Sequence, residues 1–300
     1  MATLQSYQDT TIKQDISPLM MALDITSTQL YSGLKKSTAY AVTHEWLVDE
    51  VPAVSVNAKV EGADFSSITG VTPTRAQNYT QVFTKDVQVS DTEIAVNHFE
   101  AVGDPMAHQT TKQMKTMKGD IELALMRSTL ITGNAGVARQ MAGVFSWITT
   151  NATAFNSGTT LTETILNDLI ELTWNAGGEA DEIYVGSKLK RRISGFTAGA
   201  TKYKDVTDKR LVNSVDVYES DFGVHKIFKH RYAQLATDTT ANIVILDSSR
   251  WVVSELKGRS PFIRDISKTG DSEKKQLVAE LTLECHQEKA NAKASGLLIG

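Results

Sequence analysis

The sequence contains very little cysteine, since Cys285 is the only one in 300 residues. A single thiol cannot form a disulfide within the chain, and it cannot supply the several cysteines of a Cys-based zinc site. The low cysteine content is typical of a protein that works in a reducing compartment. These absences exclude small disulfide-stapled scaffolds and zinc fingers.

Long apolar runs and an excess of one charge are also missing. No segment approaches the ~18 consecutive apolar residues of a membrane span, and residues 1–15 lack the basic-then-apolar layout of a signal peptide. The 31 basic and 35 acidic residues give a net charge of −4, unlike that of a generally basic nucleic-acid-binding protein. We therefore expect no membrane partner and only weak, local contact with DNA.

The lone cysteine stands directly before a histidine, which suggests a thiol nucleophile and its base. However, apolar and polar residues alternate from Ala279 to His286, the pattern of a half-buried strand. Adjacent side chains of a strand point to opposite faces, so Cys285 should face the core and His286 the polar side. The two then cannot form the hydrogen bond that activates a nucleophile. We predict a buried structural thiol and no catalytic residue.

The leading part of the chain is poor in apolar residues. Residues 1 to about 40 are polar and weakly periodic, which predicts an extended arm that lies on other structure. Residues 56–88 have sparse apolar positions, a turn-rich centre (EGADFSSITGVTPTR) and alternation beyond it, which predicts a long two-stranded β-ribbon. Because an isolated hairpin is marginally stable in water, the ribbon should rest on a neighbouring chain. The residues expected at that contact are Lys59, Glu61, Asp64, Arg75 and Tyr79.

A long helix is predicted in the middle of the chain. Asp104 can cap it and Pro105 fits its first position, and Gly133 would end it. Apolar residues recur along it as one stripe, formed by Met106, Met114, Met117, Ile121 and Leu125. We interpret this stripe as helix core rather than as a promiscuous methionine-rich groove.

The section that follows alternates helices with short buried strands at Ile183–Val185 and Ile243–Leu246, before antiparallel strands return. ITGNAGVA, residues 131–138, lacks the Gly-Lys-Ser/Thr of a P-loop. No histidine has a second ligand at metal spacing, and His225 and His230 are expected to be solvated. We therefore predict no cofactor and no metal.

A short basic run offers the one candidate contact with DNA, formed by Lys188, Lys190, Arg191 and Arg192. The run is short and has no interleaved aromatic residues. A solvated helix face is therefore favoured, and a weak DNA-facing patch is the alternative.

The order of these segments resembles that of the major capsid proteins of tailed bacteriophages, which have the Hong Kong 97-like fold. The resemblance depends on Arg75 followed by NYTQVFTKDVQVSDT (78–92), on Asp221-Phe222-Gly223, on Ile245–Asp247 before Trp251, and on KTGDSEKKQLVAELTLECHQEKA (268–290). These runs are not chemical motifs, but their order spans nearly the whole chain.

The resemblance implies an α+β chain in five parts: an N-terminal arm at 1–45, an E-loop β-ribbon at 46–95, a P-domain at 96–149 with a spine helix at 104–132, an A-domain at 150–248, and P-domain return strands with the C-terminus at 249–300. It implies a non-enzymatic head protein that forms pentamers and hexamers of an icosahedral or prolate shell around double-stranded DNA. The expected partners are further copies, portal and scaffolding proteins, and non-specifically held DNA, with assembly in the bacterial cytoplasm.

Two other classes stay open at this point. A cytosolic α/β enzyme could use the 150–250 section, where it would need a pocket of convergent titratable groups with shifted pKa values. A β-rich tail or fibre protein is disfavoured by the long methionine-bearing helix and by the buried strands near residues 183 and 243.

Overall fold

The computed structural model describes residues 28–52, 54–64, 70–96, 103–196, 216–235 and 238–299. Residues 1–27 of the predicted arm and 65–69 of the predicted ribbon lie outside the described residues. The α-helices are α1 (Gln29–Gly33), α2 (Asp91–Ala95), α3 (Pro105–Arg127), α4 (Val144–Trp147), α5 (Glu163–Asn175) and α6 (Ser187–Gly195).

The strands are β1 (Lys35–Ala39), β2 (Thr43–Val48), β3 (Thr74–Tyr79), β4 (Gln81–Ser90), β5 (Ala152–Thr159), β6 (Glu182–Val185), β7 (Val217–Ser220), β8 (Gly223–Lys229), β9 (Thr240–Leu246), β10 (Trp251–Leu256), β11 (Phe262–Ile266), β12 (Ser272–Cys285) and β13 (Ala292–Leu298). They form a five-stranded sheet, a six-stranded sheet and a two-stranded ribbon. This mixture confirms the predicted α+β class.

The long helix α3 begins where the sequence predicts. The Asp104 carboxylate accepts a 2.9 Å hydrogen bond from the backbone N–H of Met106, and Pro105 occupies the first turn. The predicted end at Gly133 is wrong, because the helix stops at Arg127 and Ser128 is extended. Gly143 packs against this last turn, where a Cβ would lie 2.6 Å from the carbonyl oxygen of Ala124, so the returning chain closes the helix early.

The apolar stripe of α3 is core, as predicted. Met106, Met117, Ile121 and Leu125 are buried, and Met114 at the margin is 37% exposed. The buried members pack against the five-stranded sheet in one hydrophobic cluster. Among the described residues, α3 and the other helices are too short or too polar to cross a membrane.

The five-stranded sheet is organised around β12. One edge of β12 pairs antiparallel with β4 along Ser272–Leu281, and the other edge pairs with β11 and then with β10. β1 adds to β10 in parallel. The strand β4 therefore belongs to this sheet, although the sequence suggested that it continued the ribbon.

The prediction that β12 is half-buried is wrong, while its alternation is real. Leu281 and Cys285 lie in the core, but Glu280, Thr282 and Glu284 on the other face are only 2%, 0% and 6% exposed. Both faces are covered, because the base of the ribbon packs over the polar side.

Residues 28–39, predicted as part of the arm, fold on their own subunit. Leu30 and Tyr31 of α1 are buried, and their backbone N–H groups donate to the carboxylate of Glu122 in α3 at 2.7 and 2.8 Å. β1 follows at the edge of the sheet. The part of the arm that the structure describes is therefore a fixed root rather than a free extension.

The six-stranded sheet has the order β5-β13-β9-β6-β8-β7. Helices α5 and α6 bury aliphatic residues against it in a second core. The last strand, β13, lies inside this sheet, whereas the sequence placed all of 249–300 with the other unit. Residues 249–300 therefore contribute strands to both sheets, β10 to β12 to the five-stranded sheet and β13 to the six-stranded sheet.

Candidate assembly surfaces

A true two-stranded ribbon exists only at its base. β2 and β3 pair antiparallel from Thr43–Tyr79 to Val48–Thr74. Beyond these pairs, residues 49–52, 54–64 and 70–73 form no strand. The predicted ribbon was too long, because alternation beyond Thr80 belongs to the pairing of β4 with β12.

Buried polar side chains fix the ribbon base to the subunit. Asn78 is fully buried, and its amide donates to the carbonyl oxygens of Leu283 at 2.7 Å and Ala142 at 3.1 Å. The amide oxygen of Asn78 accepts from the backbone N–H of Ala142 at 2.9 Å. The Trp46 indole N–H donates to the carbonyl oxygen of Cys285 at 2.9 Å. The direction in which the ribbon leaves the body is therefore set by specific hydrogen bonds.

Glu280 adds an ionic layer beneath the ribbon base. Its carboxylate lies 2.8 Å from Nε of Arg259, bonds Arg139, and accepts a 2.6 Å hydrogen bond from the hydroxyl of Thr80. A buried carboxylate is tolerated only with such partners. These contacts connect Glu280 of β12 to Thr80, the residue that follows β3.

Glu284 also binds the ribbon base, close to the contact made by Glu280. Its Oε1 lies 2.7 Å from Nε2 of His44 and accepts a 3.1 Å hydrogen bond from the hydroxyl of Ser37. Sequence polarity alone could not reveal these partners, since they come from strands more than 200 residues away.

The end of the ribbon exposes apolar side chains. Val51, Val54, Val56 and Val60 are 91%, 102%, 96% and 83% exposed. Four almost fully exposed valines in so short a segment are unusual. Exposed apolar surface of this kind marks interaction sites. The described part of the subunit leaves this segment uncovered.

The five residues predicted at the contact do not come together. Lys59, Glu61 and Asp64 lie exposed on the ribbon end. Arg75 is on the base, with Nη1 3.2 Å from Oε2 of Glu45 on the opposite strand. Tyr79 is half-buried at the foot of the ribbon, beside a groove of about 480 Å³.

The four residues of the basic run also lie in different environments. Lys188 and Arg191 are exposed and Arg192 is half-buried on α6. Lys190 is only 4% exposed, and its ammonium lies 3.1 Å from Oδ1 of Asp216. Because the helical period turns Lys190 towards the sheet, this residue is excluded from a DNA-facing patch.

The two histidines predicted to be solvated are buried, so that prediction is wrong. Nε2 of His230 lies 2.8 Å from Oε1 of Glu122, inside the core. Nδ1 of His225 lies 2.8 Å from the carbonyl oxygen of Ala180, and burial lowers the pKa of the His225 imidazole.

Cys285 and His286 lie on opposite faces, as predicted. Cys285 is 2% exposed, whereas His286 is exposed. Burial raises the pKa of the Cys285 thiol to about 12, so the thiolate is scarce at neutral pH. Among the described residues, no three metal-ligating side chains converge.

A long helix packed on a five-stranded sheet, a second α/β unit and a two-stranded ribbon are the arrangement of the Hong Kong 97-like fold. The family of the SU10 major capsid protein matches the chain over residues 3–298. The chain belongs to this family. It is a phage major capsid protein that self-assembles into the virion capsid.

Solved structures agree on the fold. The capsid asymmetric unit of cyanophage A-1(L) aligns with a TM-score of 0.70 at 12% identity, covering 98% of this chain and 99% of that one. A structure from Mycobacterium phage Adephagia gives 0.62 at 16% identity, with 99% and 98% covered. The holo-SrpI encapsulin complex from Synechococcus elongatus PCC 7942 gives 0.66 at 10% identity, with 100% and 97% covered. No curated protein matches the chain.

The family assignment decides between the classes that the sequence left open. The family is one of structural capsid proteins and not of enzymes. The alternative of a cytosolic enzyme with a site in the 150–250 section is therefore wrong.

Proposed function

We propose that copies of this chain form the pentamers and hexamers of a closed head, and that the ribbon end of each copy lies on an adjacent copy. The observation that carries this proposal is the row of exposed valines from Val51 to Val60. Lys59 and Glu61 flank Val60, and Asp64 follows, so charge pairing can set the register of the contact.

The contact made by one ribbon end should be weak by itself. Burying a valine fully yields about 1.5–3 kcal/mol, while fixing each backbone residue costs about 1–2 kcal/mol. The ordering cost of the segment therefore offsets the whole gain from its four valines. In a closed symmetric shell, the ribbon end of every copy contacts one neighbour and every copy is contacted by the ribbon end of another. The shell is therefore stabilised by many weak contacts acting together.

The test replaces residues 51–71 with a short Asn-Gly turn, which retains β2 and β3. We expect a folded, soluble chain that forms no shells in sedimentation velocity and negative-stain microscopy. A finer variant combines Val54→Ser, Val56→Ser and Val60→Ser and should reduce assembly. The matched control combines Val96→Ser and Val137→Ser, exposed valines outside the ribbon, and should assemble normally. Normal shells from the turn replacement would contradict the proposal.

We propose the following division of the subunit. The P-domain consists of α3 and the five-stranded sheet, the A-domain consists of the six-stranded sheet with α5 and α6, and the E-loop is the ribbon from β2 to β3. Residues 28–39 form the root of the N-terminal arm. One hydrophobic cluster lies wholly between the six-stranded sheet and its helices, which supports the A-domain as a unit. The other cluster joins α3 to the five-stranded sheet and also includes Tyr184, Val244 and Leu246 of the six-stranded sheet.

We also propose that the head, icosahedral or prolate, encloses double-stranded DNA without sequence-specific contact, and that portal and scaffolding proteins join its assembly in the host cytoplasm. Family membership and the net charge of −4 support this reading. Lys188, Arg191 and Arg192 provide the local contact with phosphate.

A further inference from the structure

One end of the six-stranded sheet is acidic. The starts of β6 and β8 meet the end of β9 there, because β6 runs parallel to β8 and antiparallel to β9. The exposed acidic residues at this end are Glu179, Asp181, Glu219 and Asp221.

Two basic residues also lie near this end. Arg250 is satisfied locally, with Nε 3.3 Å from Oδ2 of Asp247. Lys226 stands opposite Glu182 in the register of β8 with β6. The carboxylates of Glu179, Asp181 and Asp221 are left in excess among the described residues.

The opposite end of the same sheet is basic. β6 and β8 finish there, and Lys229 and Arg231 are exposed around a cavity of about 800 Å³. Asp238 also lines this cavity, but its carboxylate is bound by the guanidinium of Arg127, with Nη1 2.5 Å from Oδ2. Among the residues that the structure describes at this end, the basic excess is therefore not cancelled.

An aromatic pair stands in the acidic end. Trp174 is 58% exposed and Phe222 37% exposed, and their ring centroids are 5.8 Å apart. They line a cleft of about 710 Å³ with Glu179 and Asp181. Exposed aromatic faces beside carboxylates suit a partner that presents lysine or arginine, through cation–π contact and charge pairing.

We infer that the acidic end of this sheet in one copy packs against the basic end of the same sheet in the next copy. Each chain carries one end of each kind, so the contact is head-to-tail and closes into a ring when the rotation allows it. This inference rests on the proposed pentamers and hexamers and names the surface that joins neighbours within them.

The test is a charge swap in the full chain. Asp181→Lys and Lys229→Glu each place like charges across the contact, so each should raise the protein concentration needed for half-assembly by about tenfold, a loss of about 1.4 kcal/mol. The variant with both changes restores opposite charges between neighbours and should assemble within about threefold of the original chain. Trp174→Ala should also raise the protein concentration needed for half-assembly.

Asp168→Lys is the matched control, because Asp168 is exposed on the outer face of α5 between the two ends. It makes the same charge change as Asp181→Lys and should leave assembly unchanged. Thermal melts of every variant check the fold, and assembly is measured without DNA by sedimentation velocity.

The outcomes separate the inference from the proposed function. If the original chain forms shells and both single reversals assemble at its concentration, the inference is overturned while the capsid proposal stands. An Asp168→Lys defect as large as that of Asp181→Lys, or a double variant worse than either single one, also overturns it. Normal assembly of Lys229→Glu with reduced DNA affinity would assign the basic end to DNA instead. Failure of the original chain to form any shell would contradict the proposed function itself.

Discussion

Charged and polar side chains inside the subunit connect segments that are distant in sequence. Glu122 is fully buried, and it accepts from two backbone N–H groups of α1 while lying 2.8 Å from Nε2 of His230. Glu280 and Glu284 tie the ribbon base to β12 in the same manner. Each carboxylate meets several donors, which offsets the cost of removing it from water. In a chain without disulfides, these residues act as the long-range links.

Replacing Asn78 gives a specific prediction for the stability of the subunit. Asn78→Ala removes the partners of the Ala142 N–H and C=O groups and of the Leu283 carbonyl, so unfolding free energy should fall by about 2–4 kcal/mol. Urea titration of the unassembled chain measures the change. Gln77→Ala, at the exposed neighbouring position of β3, should change stability by less than about 0.5 kcal/mol. Equal losses for the two variants would show that Asn78 does not anchor the ribbon.

Among the elements, the sequence predicts those whose pattern is local. α3 has a capping aspartate, a first-turn proline and one apolar stripe, and β12 alternates cleanly, so both were found. The end of α3 was missed because it depends on the close approach of Gly143, which comes from tertiary packing.

Pairing partners were harder to predict than strands. The alternation in β4 does not say that it pairs with β12 rather than with the ribbon, and the polar residues of β1 give no apolar signal. The burial of Lys190 could not be predicted from the sequence either. A lysine can bury its aliphatic part while its ammonium pairs with a carboxylate, here that of Asp216. The exposed valines of the ribbon were not predicted, since the sequence shows only that apolar residues are sparse there.

The link between α1 and α3 can be tested as an element. Glu122→Ala leaves the N–H groups of Leu30 and Tyr31 without their acceptor, at about 1–3 kcal/mol for each buried group. We expect these two amides to lose hydrogen-exchange protection, and trypsin to cleave at Lys35 and Lys36 faster than in the original chain. Glu171→Ala, at an exposed position on α5, serves as the control. Unchanged exchange at Leu30 and Tyr31 in Glu122→Ala would mean that packing alone holds the root of the arm.

The whole molecule combines a rigid body with surfaces that need other copies. The subunit buries two hydrophobic clusters of its own, one of which joins the two sheets, so it can fold before it assembles. The ribbon end and the two charged ends of the six-stranded sheet stay available. The ribbon contact is mainly apolar, with a few charged residues that set its register, and the proposed sheet-end contact is ionic. High salt should therefore weaken the second contact more than the first.

The charge of the whole subunit also limits its contact with DNA. With a net charge of −4, binding to duplex DNA must come from a few local groups, of which Lys188 and Arg191 are exposed. Two phosphate contacts predict a slope of about −2 for log K against log salt. Fluorescence anisotropy between about 50 and 200 mM salt measures that slope. The double variant Lys188→Ala with Arg191→Ala should flatten it, whereas Lys112→Ala on the exposed face of α3 should not. A much steeper slope for the original chain would show that DNA is held by an extensive basic surface, and that the shell is not the weakly binding container inferred from its charge.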